Sequence, residues 1–404
     1  MRKKEVTVGI EFITPAFIGG ANPNVDCEMR EDSLKGALRF WWRAFCSTRR
    51  SSEKELLEEE GAIFGGQKQK SKVSLFIPPA SRDNYLTTLD ARTFNNLPYG
   101  IQYLLFPFRS ANRKYINPGT QFEIQLIADD DNAMIETLKA LWFLENFGGL
   151  GARSRRGLGS FRVIKINSPI DLQEILKEVP KFMCLKSEEE IGSLQSNESI
   201  QNYLGEQINI FATPCNSMPS FSAYSSTDSE FKVHFEASFT EWKQPLNWLG
   251  RRLKEFRSYT RPPFNSEAAE LHKYKDNING YSIPDPLTKT AFGLPIVYNF
   301  RDELSRPKSE RISIEAEPWS AVPQENPYGR RASPLFFKVG KIGNSDTHYY
   351  VTALLIWSEF LPNNARIKLK PNVGPNRSST ITPQVISNNP TKLTLFNFLN
   401  ENFR

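Results

Sequence analysis

Histidine and cysteine are scarce in this sequence, and long apolar runs are missing. The three histidines, His234, His272 and His348, stand far apart with no HxH or HExxH spacing, so no histidine-based metal site is expected. The four cysteines, Cys27, Cys46, Cys184 and Cys215, make no CxxC pair and resemble no zinc site, which predicts reduced structural thiols. No stretch reaches the ~18 apolar residues needed to cross a bilayer. The opening MRKKEVTVGIEF starts charged and then alternates, so it reads as a strand and not as a signal peptide. These absences point to a soluble cytoplasmic protein with no metal, no cofactor and no membrane contact.

What is present is enough for packed cores. The chain has 404 residues, 39% of them hydrophobic, a length that suggests two or three domains. Its formal net charge of +6 is modest, so the placement of the cations matters more than their sum.

Glu5 to Ile13 alternate as a strand. In DSLKGALRFWWRAF, Asp32 or Ser33 can cap a helix whose Leu34, Leu38, Trp41 and Phe45 share one face. Glu53 to Glu60 continue as an acidic helix. VSLFIPP, GIQYLLFPF and TQFEIQLIA read as strands, NAMIETLKALWFLENF as a helix and SFRVIKIN as a strand. This order, β, α, strands, α, β, is the split βαβ pattern. The expected fold is α+β with two ferredoxin-like (RRM-like, βαββαβ) domains. The first spans residues 1–168, a helical connector 169–205, and a second, more decorated domain 206–404. In that second half INIFATP, EFKVHFEASF, GLPIVYNF, SPLFFKVGK and HYYVTALLIWSEF read as strands. WKQPLNWLGRRLKEFRSYTR is a helix with Trp242, Leu246, Leu249, Leu253 and Phe256 inward, and LTLFNFLNENF is a short closing helix. The polar stretch from Arg261 to Pro286 reads as an insertion or mobile loop.

The segment GGLGARSRRGLGSF, Gly148 to Phe161, carries five glycines and three arginines in fourteen residues. It follows a helix and precedes a strand, the reverse of a P-loop or a dinucleotide fingerprint, and it lacks GK[ST]. It suits an anion. Glycines such as Gly149, Gly151, Gly157 and Gly159 let a backbone approach a ligand, successive amides can form a nest, and Arg153, Arg155 and Arg156 add forked donors. The alternative is a solvated connector. In the first helix Lys35, Arg39 and Arg43 fall at i, i+4 and i+8, a like-charge stripe that an anionic partner would relieve, with Trp42 beside it as a stacking surface. Arg251, Arg252, Lys254, Arg257 and Arg261 repeat the theme in the second-half helix, and Arg330 and Arg331 precede a strand.

FITPAFIGGA, SLKGALRFWWRAF, IFGG and the glycine loop together resemble the RAMP superfamily of CRISPR-associated proteins. KGALRFWWR and RRASPLFFKV resemble, more narrowly, first-numbered subunits of the Cmr complex, the type III-B RNA-targeting effector. The resemblance implies two ferredoxin-like domains in a multi-subunit ribonucleoprotein. It implies contact with guide or target RNA near the 3′ part of the guide, with other Cmr subunits as partners and cleavage carried out by a different subunit. Arg30, Lys35, Arg39 and Arg43 match its basic positions, and Gly148 to Phe161 its glycine-rich loop. RGLGSFRV partly resembles the RNP1 pattern, but Leu158 stands where an aromatic belongs, so backbone gripping fits better than stacking on the sheet.

Catalysis is not expected. A metal-independent ribonuclease wants a positioned base, and no histidine lies near the first helix or the glycine loop. Asp129, Asp130 and Asp131 sit between a strand and a helix, where capping explains them, which leaves Asp26 and Asp32 as the acids to test. The reading is a non-catalytic RNA-binding subunit. The alternative is a metal-independent guide-RNA-processing endoribonuclease.

Overall fold

The computed structural model describes all residues except 1–2, 23–24, 47–51, 79–84, 169–171, 210–220, 258–263, 278–279, 284–286, 301–302, 304, 321–329, 344–347, 360, 362–364, 376–383, 387–390 and 404. The fold is mixed α+β. The first half contains β1 (Lys4–Phe12), α1 (Glu31–Cys46), α2 (Glu53–Phe64), β2 (Val73–Phe76), β3 (Leu86–Leu89), α3 (Ala91–Asn95), α4 (Tyr99–Leu105), β4 (Arg113–Ile116), β5 (Gln121–Ala128), α5 (Asp131–Phe147) and β6 (Phe161–Asn167). Its four-stranded sheet has the order β2-β5-β1-β6, with every neighbouring pair antiparallel. Val6, Val8, Ile10 and Phe12 of β1 alternate and are fully buried, because a period of two puts them all on the face the helices cover. The predicted stripe of α1 is buried too, and Phe45 stacks on Phe143 of α5 with ring centroids 3.6 Å apart.

Short helices α6 (Gln173–Lys177), α7 (Glu188–Gly192) and α8 (Asn197–Asn209) follow. The second half contains β7 (Ser229–Phe235), α9 (Lys243–Phe256), α10 (Phe264–Asp276), β8 (Ile296–Asn299), β9 (Ile312–Ser320), β10 (Leu335–Ile342), β11 (His348–Ile356), β12 (Ala365–Val373), β13 (Gln384–Ile386) and α11 (Leu393–Asn402). The described strands of this half form two sheets, β10-β11-β7 and β13-β12-β9-β8, and three of them, β9, β12 and β13, were not among the expected strands. In the second sheet the residues of β9 from Ile312 onward alternate between buried and half-buried and pair with β12 along its whole length.

Two other expectations change. Gly100 to Phe108 is helical, not extended. Its buried residues Ile101, Leu104, Leu105 and Phe108 recur at i, i+3, i+4 and i+7, so the helical period decides. The stretch from Arg261 to Pro286 holds α10, anchored by the buried Leu271 and Tyr274. Of INIFATP, Ile208 and Asn209 end α8 and the rest lies outside the described residues. Two hydrophobic cores result, and each draws on both halves of the chain. One joins Val8 and Leu38 to Leu354 and Ile356. The other joins Phe17, Ile101 and Leu158 to Leu249 and Leu355.

Candidate nucleic-acid interface

The glycine loop lies between the two halves. It leaves α5 at Gly148, makes one 3-10 turn at Ser154–Arg156 and enters β6. Gly151 and Gly159 have positive φ, +90° and +64°. A Cβ on Gly151 would stand 2.5 Å from the Phe17 carbonyl oxygen, and one on Gly159 would overlap that of Leu150. Gly149 faces the Leu158 carbonyl, and Gly157 packs on Leu246 and Leu249. Four loop amides are spent within the chain: Leu150 N–H donates to the Gly159 carbonyl (2.9 Å), Ala152 to that of Phe17 (2.9 Å), Arg156 to that of Arg153 (2.8 Å) and Gly159 to that of Pro15 (2.8 Å). These four amides are therefore not available to an anion. The loop's glycines serve close packing, and its capacity for an anion rests on side chains.

Those side chains converge. Arg153, Arg155 and Arg156 meet Arg257, the C-cap of α9, and Arg331 around a cleft of about 350 Å³, whose other walls are Phe292–Ile296 and Ala332–Ser333. No carboxylate is among the described lining residues. Arg155 donates to the Ser333 carbonyl and stacks on Phe336, 4.3 Å from its ring centroid. Arg156 donates to the Phe292 carbonyl at 3.3 Å, and Arg257 donates to the Tyr103 hydroxyl at 3.2 Å. Arg331 is tied to Ser358 Oγ (2.7 Å) and to the Glu359 carbonyl (3.1 Å). Nε of Arg153, Nη1 of Arg156 and Nε of Arg257 are buried with no hydrogen-bond partner among the described residues. Burial, reinforced by neighbouring guanidiniums, pulls Arg155 down to about 10 and Arg156 down to about 9. Burial first, and Arg257 second, lower Arg153 as well. Lys289 belongs to the same electrostatic group. Burial and then Arg257 bring it down to about 7, against the pull of Glu267. Like charge is thus gathered, desolvated and left partly unsatisfied.

The first-helix stripe behaves differently and corrects the expectation placed on it. Arg39 Nε and Arg43 Nη1 both donate to Glu60 Oε1, at 2.5 and 2.6 Å, and that carboxylate is 1% exposed. Arg39 also reaches the Gly65 carbonyl, and Lys35 reaches Ser71 Oγ at 3.0 Å. The counter-charge predicted to come from a ligand is supplied by α2. Trp42 is 1% exposed and donates to Glu136 at 2.8 Å, so it offers no stacking face. Arg30 is exposed and lies 3.7 Å from Glu28. Arg252 and Arg330 are exposed on the surface and do not line the cleft, and Arg261 lies outside the described residues. Asp130 caps α5 through the Ala133 amide, and Asp26 accepts from Asn22. Among the described residues no group of three or more metal-ligating side chains occurs, and no helix is long and apolar enough to cross a membrane. Lys289 and Tyr103 were not anticipated. Neither carries a local motif: Tyr103 joins the site through the packing of α4 on α9, and Lys289 through the 3-10 turn Thr288–Phe292.

Comparison with known proteins agrees with this architecture. Residues 9–162 match the family model of the RAMP superfamily. CRISPR system Cmr subunit Cmr1-1 of Pyrococcus furiosus is 26% identical over 246 residues, 57% of this chain and 68% of that relative. Cmr subunit Cmr1-2 of the same organism is 29% identical over 178 residues, 39% of this chain and 95% of that relative. The crystal structure of apo Cmr1 from P. furiosus superposes with a TM-score of 0.54 at 21% identity, covering 89% of each chain. A chain in the cryo-EM structure of type III-B Cmr-beta bound to cognate target RNA gives 0.52 at 13% identity, covering 89% of this chain and 96% of that one. The chain is thus similar to the RAMP superfamily over residues 9–162, to Cmr1 subunits in sequence over part of its length, and to solved Cmr1 in fold.

Proposed function

We propose that this chain is a non-catalytic RNA-binding subunit of a type III-B Cmr ribonucleoprotein, which grips the backbone of guide or target RNA near the guide 3′ end. The observation that carries the reading is the cleft in which Arg153, Arg155, Arg156, Arg257 and Arg331 meet with no carboxylate among the described lining residues. Guanidinium forks match phosphate oxygens, and the buried N–H groups without partners gain most from an anionic acceptor. The membership of similar proteins in Cmr assemblies, one of them solved with target RNA, supports both the partner subunits and the nucleic acid.

The test is fluorescence anisotropy of the isolated chain with labelled single-stranded RNA across a salt series. Contact with five phosphates gives a slope of log K on log salt near about −3.5. Replacing Arg156 and Arg257 together by Gln is expected to flatten that slope by about 1.4 and weaken binding for all sequences alike. A folded wild-type chain whose binding ignores salt overturns the reading.

A further inference from the structure

We infer that Tyr99, Tyr103 and Phe106 form a base-stacking platform for single-stranded RNA entering or leaving the arginine cleft, an inference that rests on reading that cleft as a phosphate site. The three rings recur at i, i+4 and i+7 along α4 and the turn after it, so they fall on one line of the helix surface. The opposite line, Ile101, Leu104 and Leu105, is the buried one. Tyr99 is 53% exposed and Phe106 62% exposed, and Tyr103 is partly buried between them.

Charge next to the stripe selects the occupant. The Lys254 ammonium sits 3.7 Å from the Tyr99 ring centroid, and Arg257, which caps the C-terminus of α9, donates to the Tyr103 hydroxyl. Arg257 also lines the cleft, so the stripe meets it at Tyr103 through that shared cation. The alignment is fixed by a close helix crossing. A Cβ on Gly100 would collide with the Asn247 carbonyl, one on Gly250 with the Gly100 carbonyl, and the Gly100 amide donates to Asn247 Oδ1 at 2.8 Å. Aromatic faces alongside a cationic track are the chemistry of single-strand binding: cations hold the backbone while any base finds a π-face. An apolar protein surface would use the rings but would leave the adjoining Lys254 and Arg257 without a counter-charge.

The experiment compares a short oligouridine with an abasic oligonucleotide of the same length, using the full chain. Tyr99→Ala combined with Phe106→Ala is expected to weaken oligouridine binding about tenfold with an unchanged salt slope, and to leave abasic binding as it was. Tyr99→Trp with Phe106→Trp should hold or tighten it. An unchanged oligouridine affinity, or an equal loss on the abasic strand, overturns the inference and assigns the stripe to a protein neighbour. If the Arg156→Gln, Arg257→Gln variant loses RNA while the stripe variant does not, the platform falls and the cleft stands. A wild-type chain that binds neither oligonucleotide overturns both.

Discussion

Glu60 shows how a single residue redirects a reading of sequence. Its carboxylate is nearly dry and takes two guanidiniums from α1. Removing both partners, Arg39→Ala with Arg43→Ala, leaves that charge buried and uncompensated. Breaking a fully buried pair costs about 3–5 kcal/mol. Both arginines are about one-third exposed, so about 2 kcal/mol is expected here. The loss should appear as a lower urea midpoint, with RNA affinity intact in the folded protein. The stripe of Lys35, Arg39 and Arg43 was legible as a pattern, but its partner was not. Glu60 sits on another helix, and only the packing of α2 on α1 brings it within reach. Lys289 adds a pH test at the same scale. Its folded pKa, about 7, lies below that of the unfolded chain, so the native state binds fewer protons between the two values. Its contribution to stability is present at high pH and is lost as pH falls through 7. The gap in urea midpoint between wild type and Lys289→Met should therefore shift in favour of the variant as pH drops from 9 to 6. A gap that does not move with pH would contradict the placement of Lys289.

At the level of elements, the glycine loop has two jobs that its sequence presents as one. Its glycines let the chain pass against Phe17 and Leu150, and its arginines populate the cleft. These jobs separate by mutation. Gly159→Ala meets both a positive φ and the Leu150 carbonyl, so it should lower Tm by several degrees without changing the salt slope of RNA binding by the folded fraction. Helices α1, α5 and α9 were readable because each repeats its apolar residues over several turns. α4 was not. It covers about two turns, a length at which an apolar run suits either strand or helix, and only Ile101, Leu104, Leu105 and Phe108 taken together reveal the period. That misreading also concealed the aromatic line on its outer side, since in a strand Tyr99, Tyr103 and Phe106 would not share a face.

At the scale of the molecule, both cores cross the midpoint of the chain, and Leu158 of the glycine loop is buried in one of them. Unfolding should therefore be a single cooperative event, with tryptophan fluorescence and far-UV circular dichroism giving coincident urea transitions. Two separated transitions would mean that the halves hold themselves up independently. The first-half sheet could be inferred because its strands and helices alternate in a familiar order. The second could not, because β9 finds β12 across β10 and β11, and no local signal states which distant strand will be its neighbour.

The crowding of cations in the cleft has a thermodynamic corollary. Desolvated arginines that depress one another's affinity for protons oppose the very fold that gathers them. Any polyanion that seats there acts as the absent counterion and, by mass action, adds its binding free energy to that of folding. If RNA seats there as proposed, the empty chain is the more fragile form and the loaded one the more durable.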